Sequence, residues 1–308
     1  ACPFLYIRPA YARPPVVSSQ SLGSIPNQIG VSYGDQMRLL GYELEGEALH
    51  PGESVYATLY WQGLTEMDRD YSVSLVLLTP SGDLVGQEDS YPGLGSFPTS
   101  QWRVGETIAD RCWVRVRPRT QVPTVAWLGV NVYHLPTMER LPAGENGEPV
   151  EQVSLARVKI VPWETKEYTI SSPLSWNLGN QIDLIGYDLA TTQVHPGESL
   201  ELTLYWRARQ EPDTDYTVFV HLVDGEGRIW GQDDSYPLRG DYPTSFWEAG
   251  EVIRDGHELA LPKDMPAGEY GLEVGLYLVP SMERLSVLDD GGQVLDNRIV
   301  VSTIAVVD

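Results

Sequence analysis

The residues best placed to do chemistry are carboxylates set side by side. Glu88 and Asp89 lie in GQEDSYP (86–92), Asp233 and Asp234 in GQDDSYP (231–237), and Asp110 and Asp255 follow downstream of each pair. Adjacent acids plus a third supply hard oxygen ligands for Ca²⁺, the one cofactor the sequence suggests. Two carboxyl groups facing each other across a sugar would instead be the acid and base of a glycosidase. Both settings repeat between the same SYP and PTS turns, which favours a structural role. Aspartates in such loops accept backbone N–H groups and hold the loop's shape. The loop role ranks above calcium, and catalysis below both.

The five histidines are His50, His134, His195, His221 and His257. Only His50 and His195 match each other, each before a Pro-Gly turn, so both read as loop residues at a strand entrance. The chain has no H-E-x-x-H, C-x-x-C, G-x-S-x-G or P-loop pattern, and no enzyme is expected from it. Among the aromatics, Trp61/Trp206, Trp102/Trp247, Tyr42/Tyr187, Tyr60/Tyr205, Tyr71/Tyr216 and Tyr91/Tyr236 recur and are expected in a shared core or the loops that support it. Trp113, Trp127, Trp163, Trp176 and Trp230 do not recur. Of these, Trp113, Trp163, Trp176 and Trp230 are the candidate platform for stacking sugars; packing would explain them as well.

What must position these residues is a duplicated domain. HPGESVYATLYW (50–61) returns as HPGESLELTLYW (195–206), LLGYEL (39–44) as LIGYDL (184–189), and the whole of 86–110 as 231–255, all at an offset of 145. YHLPTMERL (133–141) returns as YLVPSMERL (277–285) at 144. This is tandem duplication of a whole unit rather than a short-period solenoid. Period-two alternation, as in Leu200, Leu202, Leu204 and Trp206 or Tyr216, Val218, Val220 and Leu222, makes the units all-β. Two homologous antiparallel β-sandwich domains, jelly-roll or immunoglobulin-like, are expected: an extended segment over 1–24, repeats over 25–161 and 174–308, and a linker over 162–173.

The chain of 308 residues has 21 Lys+Arg against 43 Asp+Glu, a net charge of −22. Such a field repels phosphate backbones, so nucleic acid is not an expected partner. With only Cys2 and Cys112, no disulfide framework holds the fold; one bridge, free thiols and an intermolecular bridge all stay open. A processed lipoprotein begins at its cysteine, whereas Ala1 precedes Cys2 here. No apolar run approaches a membrane span. The start ACPFLYIRPAYARPP nonetheless sets Phe4, Leu5, Tyr6, Ile7 and Tyr11 beside prolines and arginines, like the interfacial end of a missing upstream helix. Such a segment is suited to lie as an added strand on another copy of the chain.

YIRPAYARPP, then LLGYEL…HPGES…TLYW, and FVHLVDGEGRIWGQDDSYP…YPTSFWEAGEVIRD…PAGEY…GLY…RL resemble a recurrent bacterial module. It is similar to the soluble tail after the last membrane helix of multispanning, mannosyltransferase-like glycosyltransferases of the lipid-phosphate-sugar type. Repeat 1 fits more loosely: YSVSLVLLTPSGDL lacks a counterpart of His221, and RCWVRVRPRTQV departs from the usual strand. The resemblance implies an extracellular, cell-surface location and carries no catalytic residue. The expected role is therefore a self-associating structural protein of filament or surface-layer kind, with cell-surface glycan binding as the alternative.

Overall fold

The computed structural model describes residues 13–46 and 48–307. The expected assembly residues Phe4, Leu5, Tyr6, Ile7 and Tyr11, together with Cys2, lie outside that range. The chain divides into units 1–164 and 165–308, and each is a β-sandwich of two sheets.

Eight long strands build the first domain: β1 (Asn27–Tyr33), β2 (Met37–Glu45), β3 (Ser54–Gly63), β4 (Ser72–Leu78), β5 (Leu84–Ser90), β6 (Thr107–Arg115), β7 (Thr124–His134) and β8 (Val153–Ile160). The second repeats them as β9 (Ser172–Leu178), β10 (Ile182–Leu189), β11 (Ser199–Ala208), β12 (Tyr216–Val223), β13 (Ile229–Ser235), β14 (Val252–Ala260), β15 (Gly268–Leu278) and β16 (Ile299–Val306). In domain 1 one sheet runs β1-β2-β3-β6 and the other β8-β7-β4-β5, each extended by short strands. Domain 2 has the same order, β9-β10-β11-β14 and β16-β15-β12-β13. Among the described residues the long strands pair antiparallel, and parallel pairing occurs at Ala48–Leu49 on β8, at Gln193–Val194 on β16 and at the isolated Gly63–Val104 bridge.

Alternation explains the cores. Val55, Ala57, Leu59 and Trp61 of β3 are buried while Ser54, Tyr56, Thr58 and Tyr60 between them are wetter, which places one face of the strand against the opposite sheet. Leu200, Leu202, Leu204 and Trp206 do the same in β11. Glycine is required in LLGYEL because a Cβ on Gly41 would lie 2.3 Å from the Asn27 carbonyl oxygen, at the bulge where β1 and β2 shift register.

Two expectations needed correction, and one strand is more enclosed than alternation alone suggests. Residues 19–24 are not extended but wind into a short 3₁₀ turn, Ser19–Ser24, with the Ile25 N–H closing on Leu22. β9 begins at Ser172, inside the expected linker, because Ser172 and Pro173 already oppose Tyr187 and Gly186. β12 is buried on both faces. Its outward residues, Thr217, Phe219 and His221, are covered by side chains of the same sheet: Arg284 lies 4.1 Å over the Phe219 ring, and Asp234 takes His221 at 3.0 Å.

Candidate functional site

The adjacent carboxylates do not act as pairs. They lie on strands, β5 and β13, where successive side chains leave opposite faces. Asp234 Oδ1 meets His221 Nε2 at 3.0 Å, and Oδ2 accepts the Tyr277 hydroxyl at 3.3 Å. Asp233 turns to the other side, where Oδ2 meets His257 Nδ1 at 3.1 Å and Oδ1 accepts Arg239 at 2.5 Å. Asp89 accepts Gln87 Nε2 at 2.9 Å, and Glu88, half-buried, faces away from it. Among the described residues no three His, Cys, Asp or Glu side chains converge to hold a metal ion.

Asp110 and Asp255 hold loops. Asp110 Oδ1 accepts the Gly93 N–H at 2.7 Å, and Asp255 Oδ1 accepts the N–H of Leu238, the matching position, at 2.9 Å. The environments then diverge. Position 112 is cysteine where position 257 is histidine. His257 is enclosed, bonding Asp255 Oδ2 through Nε2 at 2.9 Å and Asp233 through Nδ1. Burial alone would lower its pKa, but the hydrogen bonds and charges of Asp233 and Asp255 raise it to about 9. Burial works against Asp233 too, yet its bonds to His257 and Arg239 draw it down to about 2. Asp110 has only the Cys112 thiol in that place. Burial lifts its pKa to about 6, against the pull of the Gly93 N–H, and burial with the Asp110 charge raises the thiol well above its usual value. Cys112 itself donates to the Ala57 carbonyl at 3.4 Å.

The four candidate tryptophans separate. Trp230 is held by its hairpin: Nε1 donates to Asp224 at 2.8 Å and the Arg228 guanidinium covers the ring at 3.9 Å. Trp176 lies on β9 opposite Leu184 and is 36% exposed. Trp113 and Trp163, however, flank one turn of domain 1. Trp163 stacks on His50 with centroids 4.2 Å apart, and its Nε1 donates to the Pro51 carbonyl at 3.3 Å. On the other side, Gly52 accepts Arg115 Nε at 2.7 Å. Arg115, Trp113, Tyr56 and the Gly52–Ser54 turn line a shallow recess of about 530 Å³.

β6 is the edge of its sheet, and its outward residues read Arg111, Trp113, Arg115. Tyr56 of β3 faces Trp113 in register and is 42% exposed. The Arg111 guanidinium sits 5.3 Å over the Tyr56 ring and bonds Glu45 at 2.9 Å. The result is a comb of flat rings alternating with guanidinium groups. Tyr56 carried no weight in the sequence reading, although a signal was available. Within the repeated phrase it stands where domain 2 has Glu201, and Glu201 faces Glu258, the counterpart of Trp113.

No known protein-family model matches the chain, and no curated protein is significantly similar to it in sequence.

Proposed function

We propose that this protein is a non-enzymatic, extracellular glycan-binding protein whose first domain holds acidic polysaccharide along the outer face of β6. One observation carries the reading: Tyr56, Arg111, Trp113 and Arg115 share a solvent face where the sister domain, on the same backbone plan, has Glu201, Gly256, Glu258 and Ala260. The fold does not need aromatic rings there. Arg111, Arg115, Arg117 and Arg119 also crowd one short stretch of a chain of net charge −22. Ring faces suit the C–H side of a sugar, and guanidinium groups suit its carboxylate or sulfate. The resemblance to glycosyltransferase tails favours a glycan ligand in general and says nothing of its charge. Titration calorimetry with oligogalacturonate and with hyaluronan oligosaccharides tests it. Binding is expected to weaken with salt and to fall about tenfold in Trp113→Ala or Tyr56→Ala. No heat with either acidic oligosaccharide at millimolar concentration would sink the proposal.

Self-assembly remains a second reading on one observation. Pro15 accepts the Ala109 N–H at 2.9 Å and the Val17 N–H donates to Thr107 at 2.8 Å, so this stretch of the chain already lies on the β6 edge. Among the described residues the equivalent β14 edge of domain 2 has no strand beside it. A strand from a second copy would suit that edge. Deleting residues 1–12 should lower the mass measured by light scattering; an unchanged mass removes the reading.

A further inference from the structure

We infer that domain 1 has a second, separate binding site: a cavity on the outer face of its other sheet that takes a single neutral, polyhydroxylated molecule of monosaccharide size. The cavity measures about 290 Å³, close to the ~300 Å³ at which small-molecule sites begin. Its floor consists of cross-strand rows. Asp89, Ser74 and Asn131 form one row across β5, β4 and β7, and Gln87, Val76 and Gly129 form the next. Tyr133 and Arg140 close one end, and Glu151 and Gln152 stand at the side, from the turn before β8.

The sister domain shows that the space is not a requirement of the fold. Position for position, Ser74 becomes Phe219 and Asn131 becomes Gly275. Phe219 is fully buried, and a Cβ on Gly275 would lie 2.5 Å from its ring. The ring therefore rests on the bare glycine, with Arg284 above it at 4.1 Å. In domain 1 the aromatic ring is gone, its glycine seat is an asparagine, and Arg140, the counterpart of Arg284, borders open space instead of capping a ring. Domain 2 uses this face for packing, whereas domain 1 leaves a cavity there.

The polar side chains indicate what fits. A hydroxyl both donates and accepts, so a polyol needs neighbours of both kinds. Gln87, Asn131 and Gln152 each offer an N–H₂ and a carbonyl, Asp89 and Glu151 accept, and Arg140 donates in a fork. A strongly charged ligand would meet charges of both signs here. Val76, 8% exposed, with Leu78 and Leu84 from the same lining, gives the floor an apolar strip for the C–H face of a ring. None of these residues belongs to the Tyr56–Trp113 comb, so the two sites can fail separately.

Domain 2 supplies the test variant. Ser74→Phe with Asn131→Gly refills the cavity in a way the architecture already tolerates. D-glucose, D-galactose, D-mannose and N-acetyl-D-glucosamine are titrated against the full chain by saturation-transfer difference NMR, with L-alanine, and inorganic phosphate followed by ³¹P line broadening, as ionic comparisons. At least one sugar is expected to bind at millimolar strength, about tenfold more weakly in the refilled variant, and unchanged in Trp113→Ala. Arg140→Ala, at an exposed position, should weaken it while leaving the melting temperature unaltered. Binding of none of the four sugars, binding only of phosphate or alanine, or sugar binding that survives refilling would each overturn the inference. Loss in Trp113→Ala alone would assign the sugar to the comb and equally overturn it.

Discussion

Replacing His257 by cysteine, the residue at the matching place in domain 1, removes the cation shared by the buried Asp255 and the part-buried Asp233, which keeps only Arg239. His257 holds Asp233 and Asp255 at 3.1 and 2.9 Å, with its side chain wholly enclosed. Its pKa rises from 6.5 to about 9, which at ~1.4 kcal/mol per tenfold in proton affinity amounts to about 3 kcal/mol. Because the folded value is the higher one, that stability is complete below pH 6.5 and is lost as pH rises through about 9. Truncating one partner of a buried pair costs about 3–5 kcal/mol when the charge left behind is uncompensated, and here Asp255 is left so while Asp233 keeps Arg239. His257→Cys should therefore destabilise domain 2 by about 3–5 kcal/mol at neutral pH. It should also flatten the fall in stability between pH 6.5 and 9. Urea unfolding followed by hydrogen exchange with mass spectrometry reads the two domains separately. A loss below about 1 kcal/mol, the scale of an exposed pair, or a wild-type domain 2 equally stable at both ends of that pH range, would refute the reasoning.

Other outcomes follow from the same comparison of domains. Asp110, with a pKa of about 6 against 3.8, binds its proton more tightly when folded, so domain 1 should lose stability as pH rises from 3.8 to 6. Asp110→Asn keeps an acceptor for Gly93 and should stabilise the domain at neutral pH by up to about 3 kcal/mol, seen as a higher melting temperature at pH 7.5 but not at pH 3.5. Gly275→Ala should cost about 1–3 kcal/mol by overpacking the Phe219 ring, whereas Asn131→Ala, at a half-open position, should cost under about 1 kcal/mol in the same denaturation assay. Installing Glu201→Tyr, Gly256→Arg, Glu258→Trp and Ala260→Arg in a Trp113→Ala background should restore oligogalacturonate binding, measured by calorimetry.

Much of this protein was legible in the residue order itself. The offset of 145 between repeats and the alternation of Leu200, Leu202, Leu204 and Trp206 are local patterns, and a strand's two faces follow from its period alone. Hence the all-β class and the tandem domains could be read directly, and of the recurring aromatics Trp61/Trp206, Trp102/Trp247 and Tyr71/Tyr216 are buried in both domains, whereas Tyr236 is exposed. Which residues meet could not. Adjacency in sequence suggested that Glu88 with Asp89, and Asp233 with Asp234, work together, yet on a strand adjacency sends side chains apart. Trp113 and Trp163 seemed scattered, yet both flank the turn at Gly52, because β6 and the segment after β8 converge there. Tyr56 became visible only when cross-strand register set it against Trp113. Likewise, serine at position 74, where domain 2 has Phe219, leaves a cavity only because Asn131 and Arg140 surround that point in space. Local periodicity determines strands, but the pairing of distant strands decides their neighbours, and sites are made of neighbours.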